Sequence, residues 1–258
     1  MNSWIQAARL RTLPLALSGI LLGAALSHMC VSAAILSDSH IAQTLSNSGN
    51  PIGPESLKLG FHASPAVITL LAILTATALQ VLSNFANDYG DFNKGTDTKA
   101  NRSDRMLASG KISEKSMKRA IWFISLITLI LGISLIYVSG LFETRGGFYL
   151  LAIGLLALFA AITYTVGKNA YGYLGLGDLF VLMFFGFVPV LGMGLLNGLF
   201  VTEATCQYLD VFLLAGCGLG LLSTGVLNVN NYRDIPTDKE QNKQTLAVRL
   251  GAKKTIVY

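Results

Sequence analysis

Six long apolar runs alternate with polar stretches along the chain, at residues 13–36, 64–86, 120–140, 147–167, 179–200 and 209–229. Each reaches the roughly 20 residues that an α-helix needs to cross a hydrocarbon core. None shows the two-residue alternation of a barrel strand. The pattern predicts six membrane-spanning helices. The first run follows Arg9 and Arg11 in the manner of a signal peptide. It lacks a convincing cleavage site and five more spans follow, so it reads as a helix of the mature protein.

Composition agrees. Of 258 residues, 52% are hydrophobic and 13% charged, against roughly 25% charged in soluble domains. The mean hydropathy is +0.56. A soluble enzyme, a disordered chain and a coiled coil are poor readings of such a sequence. Cys30, Cys206 and Cys217 show no CxxC spacing, and His28, His40 and His62 no zinc spacing. The polar stretch 37–63, rich in Ser, Asn, Gly and Pro, reads as an external linker.

Charge fixes the orientation. If the N-terminus lies on one side, that side also receives 87–119, 168–178 and 230–258. All but two of the 19 Lys and Arg residues, Lys58 and Arg145, then fall there. The positive-inside rule makes that side cytoplasmic. The net charge of +5 is therefore a topology signal and calls for no nucleic-acid partner.

Two acidic clusters stand at cytoplasmic span ends. In the first, Asn84, Asn87, Asp88 and Asp91 are spaced i, i+3, i+4 and i+7, with Asp97 beyond. In the second, Asn231, Asp234 and Asp238 are spaced i, i+3 and i+7. On a helix each set shares one face. Acids near a membrane core are costly and commonly functional, and like charges converging on one cavity repel unless neutralised. Carboxylate and amide oxygens suit a hard cation, Mg²⁺ above all, which shares its shell with substrate phosphates. The opposed clusters therefore predict a diphosphate held between metal ions. Lys99, Arg102, Arg105 and Lys111 follow the first cluster, and Lys243, Arg249, Lys253 and Lys254 the second. Arg105 and Lys243 are the candidate phosphate contacts. Most of the other charges serve topology and lipid headgroups.

These residues resemble the UbiA superfamily of intramembrane aromatic prenyltransferases. The resemblance rests on Asn87-Asp88-Tyr89-Gly90-Asp91 with Lys94-Gly95-Thr96-Asp97, and on Asn230-Asn231-Tyr232-Arg233-Asp234-Ile235-Pro236-Thr237-Asp238 with Lys243 to Gly251. Arg9 to Leu17, Arg105 to Ser113 and Tyr171 to Phe180 extend it. The nearest branch acts on 1,4-dihydroxy-2-naphthoate in menaquinone biosynthesis. The resemblance implies an all-α polytopic bundle forming a single transmembrane domain over residues 1–258. It also implies polyprenyl diphosphate and 1,4-dihydroxy-2-naphthoate as substrates, Mg²⁺ as cofactor, and no obligate protein partner beyond membrane lipid.

In that reading Asp88, Asp91, Asp234 and Asp238 hold the metals, with Asp97 and Asn231 as further ligands. Asn84 and Asn87 complete or orient the shell, and Arg105 and Lys243 grip the diphosphate. Asp178, opening the fifth span, is the first candidate to handle a proton. Arg11, Tyr164 and Lys168 are further substrate contacts. Two departures stand out. The superfamily's third acid of the first motif falls at Gly95, with Asp97 two residues on. Superfamily members also have about nine helices, so a chain ending at Tyr258 reads as lacking the C-terminal ones. Two rivals remain open: an enzyme of the same kind acting on another aromatic acceptor such as 4-hydroxybenzoate, and a transporter with acidic cytoplasmic gates. The transporter predicts polar residues through mid-span and helices broken at the bilayer midplane.

Overall fold

The computed structural model describes residues 3–37, 63–97, 105–168, 170–200 and 206–258. Most of the linker 37–63, with His40, Lys58 and His62, and also Lys99 and Arg102, lie outside the described residues. Nine helices besides two short 3-10 turns, Leu10–Thr12 and Tyr171–Leu174, occur among the described residues, with no strand: α1 (Ser3–Ala8), α2 (Leu13–Ser37), α3 (Pro65–Asn93), α4 (Glu114–Val138), α5 (Arg145–Thr163), α6 (Gly177–Leu196), α7 (Leu209–Glu240), α8 (Leu246–Leu250) and α9 (Ala252–Thr255). Six helices are long and apolar enough to cross a membrane, the first of them running over Ser3–Ala33. The chain is a multi-pass membrane protein.

The helix starts follow local chemistry. Ser113, Thr144 and Thr245 each accept a hydrogen bond from the backbone amide three residues on, at Ser116, Gly147 and Val248. Pro65 stands at the first position of α3, where its missing N–H costs nothing. The helix ends are less obvious. Two helices run well past their apolar stretches: α3 continues through Asp91 to Asn93, and α7 passes through Pro236 to Glu240. Lipid limits the hydrophobic run, but a helix can continue into the aqueous layer. Both acidic clusters therefore ride on continuous helices, and their spacing places each cluster on one face.

Helix α3 packs on α4 over much of its length and also touches α1, α2 and α5. Helix α6 packs on α7 and α2, so α2 joins the two halves. In lipid, apolar contact alone gives helices little reason to associate, and close approach at small residues replaces it. Gly186, inside a π-helical turn of α6, faces Gly216 and Gly220 of α7. A Cβ at Gly186 would lie 2.4 Å from the Gly216 carbonyl oxygen and 2.6 Å from the Gly220 Cα. Outward faces carry apolar side chains, with Trp122 at 79% and Leu214 at 77% exposure. Hydroxyls within the spans donate to carbonyls of their own helix, Ser27 to Gly23, Thr128 to Ile124 and Ser223 to Leu219.

Gly186→Ala is expected to drive α6 from α7 and to cost about 1–3 kcal/mol, the range for overpacking. Gly218→Ala, where a Cβ meets nothing within 4 Å, is the control. Thermal unfolding in detergent checks this: only the Gly186 variant should melt lower, and equal midpoints would refute the close-packing account.

Candidate active site

The last turns of α3, the first of α6 and the last of α7 meet at one end of the bundle. Asp88 is buried. Its Oδ2 accepts from the Leu107 amide at 3.4 Å, and Arg9 is the cation nearest in effect to it. Two residues on from Asp88, a Cβ at Gly90 would lie 2.6 Å from the backbone carbon of Thr165. That closeness brings the Thr165 hydroxyl within reach of the Asn87 Oδ1 (3.2 Å) and the Ala86 carbonyl (3.1 Å).

Beyond Asp91 the chain folds back over the helix end. The amides of Thr96 and Asp97 donate to the Asp91 carbonyl at 2.9 and 3.2 Å, and Gly95 supplies the left-handed turn at φ 73°. The turn sets Asp97 beside Arg105, whose Nε lies 3.2 Å from Asp97 Oδ2 and whose Nη2 lies 3.8 Å from Asp91 Oδ2. All three side chains are nearly inaccessible. Arg105 thus neutralises two acids at once, and Asp97 joins the site despite its displaced position in sequence.

On α7, Asp238 is buried, with Lys243 Nζ 3.7 Å from its Oδ1. The Lys243 amide also donates to the Asp238 carbonyl at 2.8 Å, which brings the lysine back toward the acid. Asp234 is half-buried and gripped by its neighbour Arg233 through two bonds of 2.7 and 2.8 Å. Asn231 lies half-buried one turn earlier. The two motifs touch through Gln241, whose Nε2 donates to the Thr96 carbonyl at 2.7 Å. Asp91 and Asp238 feel each other's charge across the gap.

The loop from α5 to α6 closes the third side. Tyr164 caps α5 and feels the charges of Asp91, Asp178 and Asp238 together. Asp178, buried in the first turn of α6, accepts a 2.6 Å bond from the Tyr258 hydroxyl. The Tyr173 hydroxyl donates to Asp91 Oδ1 at 2.9 Å and lies 2.6 Å from Thr96 Oγ1. Burial, and then Asp91, hold this phenol well above its ordinary pKa, so it stays a donor. Lys94 and Lys243 lie over the Tyr173 ring, at 3.9 and 5.4 Å from its centre.

The remaining sequence candidates lie elsewhere. Arg11 and Lys168 are exposed. The Asn84 amide donates to the Ala8 carbonyl (2.9 Å) and the Thr12 hydroxyl (3.2 Å), tying α1 and the turn after it onto α3. That turn holds Arg9 in a left-handed conformation at φ 46°. Sequence reasoning chose Arg11, yet Arg9 is the arginine near Asp88. Lys94, Tyr173, Gln241 and Tyr258 were also passed over. For Lys94 the signal was its place three residues after Asp91; Tyr258 carries none.

Among the described residues, no three His, Cys, Asp or Glu side chains come close enough together to cage a metal ion. The acids form separate half-sites instead. Each half still offers what a hard cation needs. Asp88 Oδ1 and Asp238 Oδ2 are buried acceptors without a hydrogen-bond partner. One or two carboxylates per ion, completed by phosphate oxygens and water, is the usual provision for Mg²⁺. The donor set fits that ion.

The family profile described as "UbiA prenyltransferase family" matches residues 57–258. The chain belongs to this family. It is similar to the 1,4-dihydroxy-2-naphthoate octaprenyltransferase of Haemophilus influenzae, 39% identical over all of this chain and 72% of that protein. The Escherichia coli K12 protein of the same name is 38% identical over 97% of this chain and 69% of its own length. A third, from Mycobacterium tuberculosis, is 38% identical over 75% of this chain and 62% of its own. No solved structure matches. This UbiA family member is an enzyme of the prenyltransferase class.

Asn84→Ala should leave the Ala8 carbonyl without its donor and free the N-terminal turn, at a local cost of about 1–3 kcal/mol. Hydrogen exchange over residues 3–12 is expected to speed up while the core of α3 stays protected. Unchanged protection would assign Asn84 no clamping role.

Proposed function

We infer that the chain transfers a polyprenyl group from polyprenyl diphosphate to 1,4-dihydroxy-2-naphthoate, as the names of its relatives indicate for them. The allylic C–O bond breaks, and its electrons leave with diphosphate. A ring carbon bonds to the prenyl carbon, the carboxyl group departs as CO₂, and the proton displaced from the attacking carbon takes the place of the carboxyl group on the ring. The product is demethylmenaquinone in its reduced form, so the enzyme serves menaquinone biosynthesis. The observation that carries this reading is the meeting of two acidic helix ends at one end of the bundle, with Arg105 against the acids of the first and Lys243 against the acid of the second.

Asp88 and Asp91 on one side, and Asp234 and Asp238 on the other, are the proposed metal-holding carboxylates, with Asp97, Asn87 and Asn231 beside them. Mg²⁺ bound there would stabilise the charge that develops on the departing diphosphate. Arg105 and Lys243 already lie against the acids and are placed to turn onto phosphate oxygens. Arg9 adds a further positive charge beside Asp88. Tyr164 and Asp178, facing the same space, are the proposed contacts for the aromatic acceptor, and Asp178 the proposed carrier of its proton. Apolar faces of the spans exclude water from the allylic cation. Orientation follows charge: the site and the N-terminus face the cytoplasm across the cell's inner membrane.

The transporter alternative finds no support in the spans. The acids of the two motifs sit near helix ends, and the hydroxyls of Ser27, Thr128 and Ser223 are bonded within their own helices.

Membranes carrying the chain, supplied with Mg²⁺, polyprenyl diphosphate and 1,4-dihydroxy-2-naphthoate, are expected to form the prenylated product and to stop on chelation. Asp88→Ala and Asp238→Ala should each lower the rate by about 100-fold or more, the scale for removing a group that stabilises developing charge. Product from 4-hydroxybenzoate alone would move the assignment to another acceptor. Silence with both acceptors would overturn it.

A further inference from the structure

We propose that Tyr173 is a positioning residue that fixes the Asp91 carboxylate and couples the two acidic half-sites through the α5–α6 loop. The inference rests on the reading of Asp91 as a metal-holding carboxylate. Five contacts of Tyr173 divide between the two motifs. Toward the first, its hydroxyl donates to Asp91 Oδ1 at 2.9 Å and receives the Thr96 hydroxyl at 2.6 Å, while Lys94 lies 3.9 Å over its ring. Toward the second, its carbonyl accepts from the Gln244 amide at 3.1 Å, and the ring lies 5.4 Å from Lys243 Nζ.

The chemistry follows from these partners. A donor on Oδ1 removes the free rotation of the Asp91 carboxylate and leaves Oδ2 presented toward Arg105, at the longer distance of 3.8 Å. Donors of this kind behind a ligating group fix its orientation, and their loss typically costs 10–100-fold in metal affinity. The Gln244 bond makes the loop's position depend on the turn that carries Lys243. A displacement of either motif is therefore felt by Asp91 through one side chain.

Tyr173→Phe removes the hydroxyl alone and keeps the ring under Lys94 and Lys243. The purified full chain in lipid nanodiscs, with inorganic diphosphate, is titrated with Mn²⁺ and read by electron paramagnetic resonance. The Phe variant is expected to need about 10–100-fold more Mn²⁺ for half-saturation. Its prenyl transfer should recover as Mg²⁺ is raised, and Tyr173→Leu should in addition raise KM for polyprenyl diphosphate. Thr96→Val, which withdraws the hydroxyl behind Tyr173, should shift Mn²⁺ binding the same way by less, and it serves if the Phe variant fails to fold. Asp91→Ala separates the two levels of the argument. If Asp91→Ala weakens Mn²⁺ binding while Tyr173→Phe and Thr96→Val bind as the parent does, the positioning role is refuted and the metal reading stands. If Asp91→Ala also binds as the parent does, the metal reading itself falls.

Discussion

Repulsion between carboxylates at a low-dielectric boundary governs this end of the molecule. Two unit charges 4 Å apart interact by about 4 kcal/mol at the effective dielectric of a protein surface, so several acids cannot converge there unaided. The fold assigns the acids their own cations: Arg105 to Asp91 and Asp97, Lys243 to Asp238, Arg233 to Asp234, and Arg9 near Asp88. Three of these four are held close by backbone turns or by adjacency in the chain. The Gly95 turn brings Asp97 to Arg105, the 2.8 Å Lys243–Asp238 backbone bond returns Lys243 to its acid, and Arg233 precedes Asp234. Neutralisation is therefore local within each motif. This permits the two motifs to approach before any ligand is present.

The bilayer imposes the complementary constraint. Backbone polar groups in lipid must be satisfied within the helix, and the spans meet this with helical bonding, shifted to a π turn over Leu182–Phe187, and with hydroxyls turned back on their own carbonyls. The acids of the two motifs are instead carried at the helix ends, where α3 and α7 overrun their apolar stretches. Packing through Gly186 and Gly220 brings α6 and α7 into register, and with them Asp178 and the last turns of α7.

That division explains what the sequence disclosed. Spans were legible because lipid reads average hydropathy over about 20 residues, and the acidic faces because helical spacing is local. The helix ends beyond the lipid were not, since no hydropathy signal marks them. Nor could spacing distinguish Arg9 from Arg11. Their difference lies in a left-handed turn clamped by Asn84, a residue 72 or more positions away in sequence. Tyr173 was hidden for a similar reason. Its contacts with Thr96 and Asp91 span 77 and 82 residues, and an aromatic residue in a glycine-rich loop carries no polar pattern.

The separation of the half-sites has a chemical consequence. A cage of three or more carboxylates would bind a divalent cation whether or not substrate were present. Among the described residues the acids do not gather into such a cage, and most are partly satisfied by an arginine or lysine. Mg²⁺ dehydrates reluctantly and commonly completes its shell with substrate phosphates. On the proposed reading, binding of the cation would be favourable chiefly when a diphosphate supplied the missing oxygens and drew Arg105 and Lys243 onto itself. Cation and diphosphate would then be mutually dependent ligands, each raising the other's affinity by the same factor. Basic side chains that neutralise the acids would be released by the metal to take up the phosphate.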